Sequence, residues 1–195
     1  DMVRVAQQKA GEGMRFCRAY GNDTGLEDEC ADIVVSSQAF HWMEPESTLA
    51  EINRILVPGG VFSTIDYEWP PSSGWKAELA FAEFGRKMAA IDPEGPKQGI
   101  VRWSKKDHLK HIREYGHFVY TRELSFASEE KCSAKRLLDM AMSRSSTQYI
   151  LRHHPQEAEP LMREFLQEAE EILGKGTFTA QISYRMRMGV KGEAE

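Results

Sequence analysis

The chain has 195 residues, 41% hydrophobic and 28% charged, which fits one domain or a domain with a cap and is neither a disordered nor a membrane composition. A net charge of −5 gives no sign of a nucleic-acid surface, and no apolar run reaches the roughly 18 residues that a membrane-spanning helix needs. Three cysteines, odd in number and without CxxC spacing, fit a reduced, cytoplasmic compartment.

Residues 1–10 read as a helix, with Met2, Val5 and Ala6 on one face and Gly11 and Gly13 as the stop. Met14–Tyr20 alternates apolar and polar residues and reads as a strand, with Cys17 as a small buried thiol. Gly21–Gly25 is a polar turn. Asp32-Ile-Val-Val-Ser is a short apolar run, as expected of a strand covered on both faces. The loop Ser37–Met43 follows, and Pro45–Val57 is an amphipathic helix with Leu49, Ile52, Ile55 and Leu56 in one stripe. Pro58-Gly59-Gly60 is its expected terminator, and Val61–Tyr67 the next strand. Strand, helix and strand over this length make a βαβ unit.

Trp75–Ile91 is helical, and 92–99, with two prolines and two glycines, is a linker. Ser104–Tyr115 is a helix capped by Ser104, and the Lys105-Lys106 pair reads as its solvated face. His117–Phe126 is a strand, Ser128 caps a helix reaching about Met142, and Ser146–His153 and Gln156–Leu173 are further helices. Thr177–Met188 closes the chain as a strictly alternating strand. The fold class is therefore α/β: a Rossmann-like, mostly parallel sheet with an antiparallel C-terminal edge strand and a helical cap. As one domain, its core covers about 1–67, 104–126 and 175–190, and its cap about 72–100 and 128–174.

Ligands of open α/β sheets bind outside the carboxyl ends of the strands. Two loops qualify, Tyr20–Thr24 and Ser36–Met43. The second gathers Phe40, His41 and Trp42, and exposed aromatics there favour a pocket. Against that stand a Trp42 staple onto the following helix and a hydrogen-bonded structural His41. The six histidines form no metal-ligand spacing, with only His108 and His111 at i,i+3 and His153-His154 adjacent. GxSxG, Walker and GxGxxG patterns are absent, as is a Tyr with a Lys four positions on.

The strings Asp-Ile-Val-Val-Ser-Ser-Gln-Ala-Phe-His-Trp at 32–42 and Leu-Ala-Glu-Ile-Asn-Arg-Ile-Leu-Val-Pro-Gly-Gly-Val-Phe at 49–62 resemble class I SAM-dependent methyltransferases. The flavour is that of the small-molecule branch that includes trans-aconitate methyltransferase. Glu51, Arg54, Leu56, Pro58, Gly59 and Gly60 stand in that family's order and spacing. The resemblance implies S-adenosylmethionine as cofactor and a small-molecule acceptor, a carboxylate being one case. It places Met2 near the adenine, with Ala6 on the same helix. Tyr20, Gly21 and Asn22 fall at the adenine, and Ser36, Ser37 and Gln38 near the methionine portion. His41 and Trp42 fall between cofactor and acceptor, with His41 the one candidate catalytic base. The family's first strands, glycine-rich loop and ribose-binding acid would lie upstream of Asp1, so this stretch by itself is expected to bind S-adenosylmethionine poorly. No metal, nucleic acid or membrane is expected, and a homodimer is. The rival readings are a non-catalytic binding protein on the same fold and a nicotinamide enzyme, which the missing Tyr/Lys pair disfavours.

Overall fold

The structure is a computed structural model describing residues 2–95 and 101–193. Part of the expected linker at 92–99 lies outside the described residues. The elements in chain order are α1 (Met2–Gln7), β1 (Ala31–Ser37), a 3-10 turn (Phe40–Trp42), α2 (Pro45–Ile55) and β2 (Leu56–Tyr67). Then come α3 (Trp75–Ile91), a 3-10 turn (Lys105–Asp107), α4 (His108–Tyr115) and β3 (Phe118–Cys132). The chain closes with α5 (Ala134–Met142), α6 (Ser145–His153), α7 (Pro155–Leu173) and β4 (Phe178–Lys191).

The sheet order is β1-β2-β4-β3. β1, α2 and β2 form the expected strand–helix–strand unit, their strands neighbours in the sheet. The last strand, expected at the edge, lies inside the order, and β3 takes the edge. β3 and β4 run antiparallel: Gly192 meets His117, Arg187 meets Glu123, Tyr184 meets Ser128 and Thr179 meets Lys131, so one strand ascends as the other descends.

Several boundaries differ from the sequence expectations for identifiable reasons. Met14–Tyr20 is not a strand: among the described residues its alternation joins no sheet, only Tyr20 bridging to Asp23, and both of its faces are exposed, Cys17 among them. α2 ends at Ile55, before the proline: Leu56 is already extended at ψ 137°. Val57, restricted to extended backbone by the following proline, continues the strand, so Pro58-Gly59-Gly60 belongs to β2 rather than to a helix cap. A Cβ at Gly60 would stand 3.2 Å from the Asp32 carbonyl oxygen, so the glycine permits close approach to β1. β3 runs through Ser128 to Cys132, and the cap of α5 is Ser133, whose hydroxyl accepts the Arg136 N–H at 3.2 Å. Ser128 faces Tyr184 instead, Oγ to Oη 3.2 Å.

The chain divides into two compact units. The first comprises 1–64, 103–123 and 187–195. Its core packs Leu49 and Ile52 of α2 with Phe62 of β2, Ile112 of α4, Phe118 of β3 and Phe40 of the 3-10 turn. Burying each such side chain stabilises by roughly 1.5–3 kcal/mol. The second comprises 65–102 and 124–186, with α3, α5, α6 and α7 around Phe81, Phe84, Met88, Leu137, Ile150 and Phe165.

Candidate cofactor-binding site

The candidate site lies in the first unit, at the carboxyl end of β1. Gln38 leaves the strand with φ 52°, a left-handed turn that sends the chain into the Phe40–Trp42 3-10 turn. The turn splits its aromatics. Phe40 goes into the core, edge-on to Phe62 at 5.5 Å and to His108 at 5.0 Å. His41 is buried beneath the Trp42 indole, centroids 4.8 Å apart, and lies nearly parallel to the His108 ring at 6.4 Å. Only Trp42 is substantially exposed, at 41%. The expected trio of exposed aromatics is thus one exposed indole on two buried rings, because a 3-10 turn points successive side chains about 120° apart.

Neighbouring backbone pins this loop. The Trp103 N–H donates to the His41 carbonyl at 2.9 Å, and the Lys105 ammonium donates to Gln38 Oε1 at 2.7 Å. Ser37 is exposed, while Ser36 Oγ is buried and meets no hydrogen-bond partner among the described residues. A buried hydroxyl left unpaired is costly, and this one sits at the strand's carboxyl end.

The second candidate loop comes to the first. Tyr20 and Asp23 exchange two backbone hydrogen bonds of 3.2 Å, which closes a tight turn with Gly21 and Asn22 at its tip. A Cβ at Gly21 would stand 2.7 Å from Met43 Sδ, so any side chain there would displace the Met43 thioether that the turn rests on at the end of the Trp42 loop. Asn22 Nδ2 donates to Ser47 Oγ in the first turn of α2 at 3.3 Å. The Tyr20 side chain is 74% exposed beside them. The structure therefore brings Gly21 and Asn22 against the loop carrying Ser37, Gln38, His41 and Trp42. It leaves Met2 fully on the surface of α1, which buries no residue.

The residues after this turn are lashed to α2 by a network that the sequence did not reveal as such. Thr24 donates to Glu51 Oε1 through its N–H (2.9 Å) and its hydroxyl. Arg54 donates to Glu51 Oε2 through Nε at 2.8 Å, to the Leu26 carbonyl at 2.8 Å and to Asp28. The Arg54 guanidinium, with the Thr24 donors, holds the Glu51 carboxyl down at about 2. Glu51 and Arg54 thus position the loop by tying Thr24, Leu26 and Asp28 to α2. Glu44 caps α2 by accepting the Glu46 and Ser47 N–H groups at 3.0 and 2.7 Å, and these bonds lower its pKa.

Chemically, the arrangement offers a π-face, a free phenol-bearing turn with closely approachable backbone, a carboxamide fixed by an ammonium and a buried hydroxyl. An exposed indole face attracts a cationic group. Among the described residues no three His, Cys, Asp or Glu side chains gather to hold a metal ion. No helix there is long and apolar enough to cross a membrane.

Residues 1–64 match the sequence family described as methyltransferase domain. An uncharacterised methyltransferase of Mycobacterium tuberculosis is 35% identical over 54 residues, 28% of this chain and 22% of that protein. Another, from Schizosaccharomyces pombe, is 48% identical over 40 residues, 20% of this chain and 16% of that protein. The matching segment thus spans about a fifth of the length of these curated relatives. Among solved structures, a candidate type II methyltransferase from Anaeromyxobacter dehalogenans superposes with TM-score 0.65 at 18% identity, covering 95% of this chain and 75% of that one. The YcgJ protein of Bacillus subtilis superposes at 0.51 with 17% identity, covering 98% and 76%. The resemblance to class I methyltransferases read from residues 32–62 therefore holds, in sequence for the first third and in fold for the chain. The trans-aconitate branch is not singled out.

Proposed function

We propose that the protein of which this chain is part transfers the methyl group of S-adenosylmethionine to a small-molecule acceptor. The observation that carries the proposal is the coincidence of two boundaries. The methyltransferase-domain match at 1–64 spans the two loops that meet at Gly21 and Met43 together with the α2 scaffold beneath them. S-adenosylmethionine, when bound, supplies an electrophilic methyl group on a sulfonium, so the residues of the chain have mainly to position and to exclude water.

In this reading the Tyr20–Asn22 turn takes the adenine through backbone N–H groups. Ser36, Ser37 and Gln38 lie along the methionine portion, with Gln38 held by Lys105. Trp42 offers its indole to the positive centre, and His41 beneath it sets the indole's angle. His41 is also the one candidate base, needed for an acceptor that arrives protonated; a carboxylate acceptor arrives ionised and needs none. His41→Ala and Trp42→Ala in the full-length protein test these roles. Loss of turnover in both supports the site, while unchanged turnover in His41→Ala removes His41 from the chemistry. The non-catalytic alternative gains if the full-length protein binds S-adenosylhomocysteine yet methylates none of a panel of carboxylate, hydroxyl and amine acceptors.

A further inference from the structure

Gln38 stands at φ 52°, a left-handed conformation that suits glycine or asparagine better than glutamine. A larger residue kept there points to a role for its side chain. That side chain makes one hydrogen bond among the described residues, and it spans 67 positions of sequence: the Lys105 ammonium donates to Gln38 Oε1 at 2.7 Å. Both residues belong to the first unit.

The chemistry of this bond orients the carboxamide. An ammonium has three donors and no acceptor, so only the amide oxygen can face it. The amide nitrogen is thereby turned away from Lys105 with two N–H donors. Among the described residues that nitrogen has no hydrogen bond, and it is not buried. Lys105 is set in place by its own segment. Ser104 Oγ caps the 3-10 turn by accepting the Lys106 N–H at 3.3 Å, and the Trp103 N–H holds the His41 carbonyl at 2.9 Å. The 103–105 segment therefore grips the loop at two points, Gln38 and His41. The Gln38 amide cannot flip without losing a charge-assisted bond. What it offers outward is a pair of donors and no acceptor. An ionised oxygen takes such donors more strongly than a neutral one, and an ammonium group finds nothing there to bind.

We propose that Lys105 is a positioning residue, which fixes the Gln38 carboxamide so that its N–H donors receive the α-carboxylate of S-adenosylmethionine. This inference rests on the methyl-transfer reading above.

Calorimetric titration of the full-length protein with S-adenosylmethionine and with its decarboxylated analogue tests it, since the carboxylate is what the two ligands do not share. The parent is expected to bind S-adenosylmethionine tighter by about tenfold or more, as a hydrogen bond to a charged group provides. Lys105→Met is expected to lose most of that preference while binding the analogue as the parent does. Lys105→Arg, which can still donate to Oε1, keeps it. Gln38→Glu leaves Lys105 a partner but turns the outward donors into an acceptor, so it is expected to bind the analogue the tighter of the two. Because Lys105 acts through Gln38, Lys105→Met combined with Gln38→Ala is expected to be no worse than Gln38→Ala alone. Should Lys105→Met fail to fold, Gln38→Glu decides: a reversed preference supports the proposal and a retained one overturns it. Equal affinity of the parent for both ligands overturns it as well. So does a Lys105→Met protein that unfolds like the parent yet weakens both ligands alike, or additive losses in the double variant. Each of these leaves the methyl-transfer reading standing, whereas a parent that binds neither ligand overturns both.

Discussion

Glu51 illustrates how a residue in a recognisable motif can hold a loop in place. Its carboxylate binds Thr24 on one side and Arg54 on the other, and Arg54 reaches on to Leu26 and Asp28. Its folded pKa of about 2 lies below the ordinary carboxylate value of 4.5. A depressed pKa contributes stability that is present above the unfolded value and lost as pH falls from there toward the folded one. With Arg54 and Asp28 partly in solvent, what Glu51 contributes after screening is at most about 1 kcal/mol. Glu51→Gln is therefore expected to lower the unfolding free energy measured by urea denaturation by that amount at neutral pH. The difference between the two proteins should shrink as pH falls from roughly 4.5 toward 2. A constant difference across that range would detach the effect from ionisation.

Cysteine exposure offers a second check at the same scale. Cys17 and Cys30 are exposed and Cys132 is buried, with burial pushing its thiol pKa up. A thiol reagent is expected to titrate two groups quickly in the folded protein and the third only on unfolding. The alternation around Cys17 predicts a strand and a buried thiol, but without a sheet to join it leaves the thiol exposed. Gly21 is the opposite case: glycine in a polar turn was legible, but its contact with Met43 links two loops more than 20 positions apart, which no local pattern encodes.

Among the elements, those with a strong internal period were legible nearly to the residue. α3, at Trp75–Ile91, matches the stripe of Leu79, Phe81, Ala82 and Met88 from which it was read, although Phe81 and Met88 go inward while Leu79 stays exposed. Boundaries set by competition between neighbours were not legible. Ser128 and Ser133 are equally good capping residues in isolation. β4 decides between them by extending the pairing of β3 as far as Lys131, whose ammonium reaches Thr179 Oγ1 at 3.2 Å. Ser133→Ala should cost about 1 kcal/mol through the lost cap, and Ser128→Ala a few tenths at most. Chemical denaturation of both variants measures this, and the reverse ranking would return the helix start to Ser128. At β1, the short apolar run predicts a strand covered on both faces; the strand forms, but Ile33 and Val35 are exposed, because β1 is an edge of the sheet among the described residues.

At the scale of the molecule, the α/β class was legible from a single βαβ unit, since two apolar runs joined by one amphipathic helix leave few topologies. The place of β4 inside the sheet was not, because strand order beyond neighbouring hairpins depends on long-range pairing that leaves no periodic trace. The site followed the same division. The turn at Tyr20–Asn22 and the loop at Ser37–Trp42 are candidates from their place after expected strands and from family likeness, but of those strands only the one before Ser37 forms; Met14–Tyr20 does not. Lys105 on Gln38 and the burial of His41 came only with the fold.

The most direct measurement is calorimetric titration of S-adenosylmethionine into the full-length protein, with Gly21→Val beside it. The account predicts saturable micromolar binding by the parent. It predicts a loss of about tenfold or more, near 1.4 kcal/mol, in the variant, whose side chain separates the turn from Met43. Absent binding in the parent, or equal affinity in both, would contradict it.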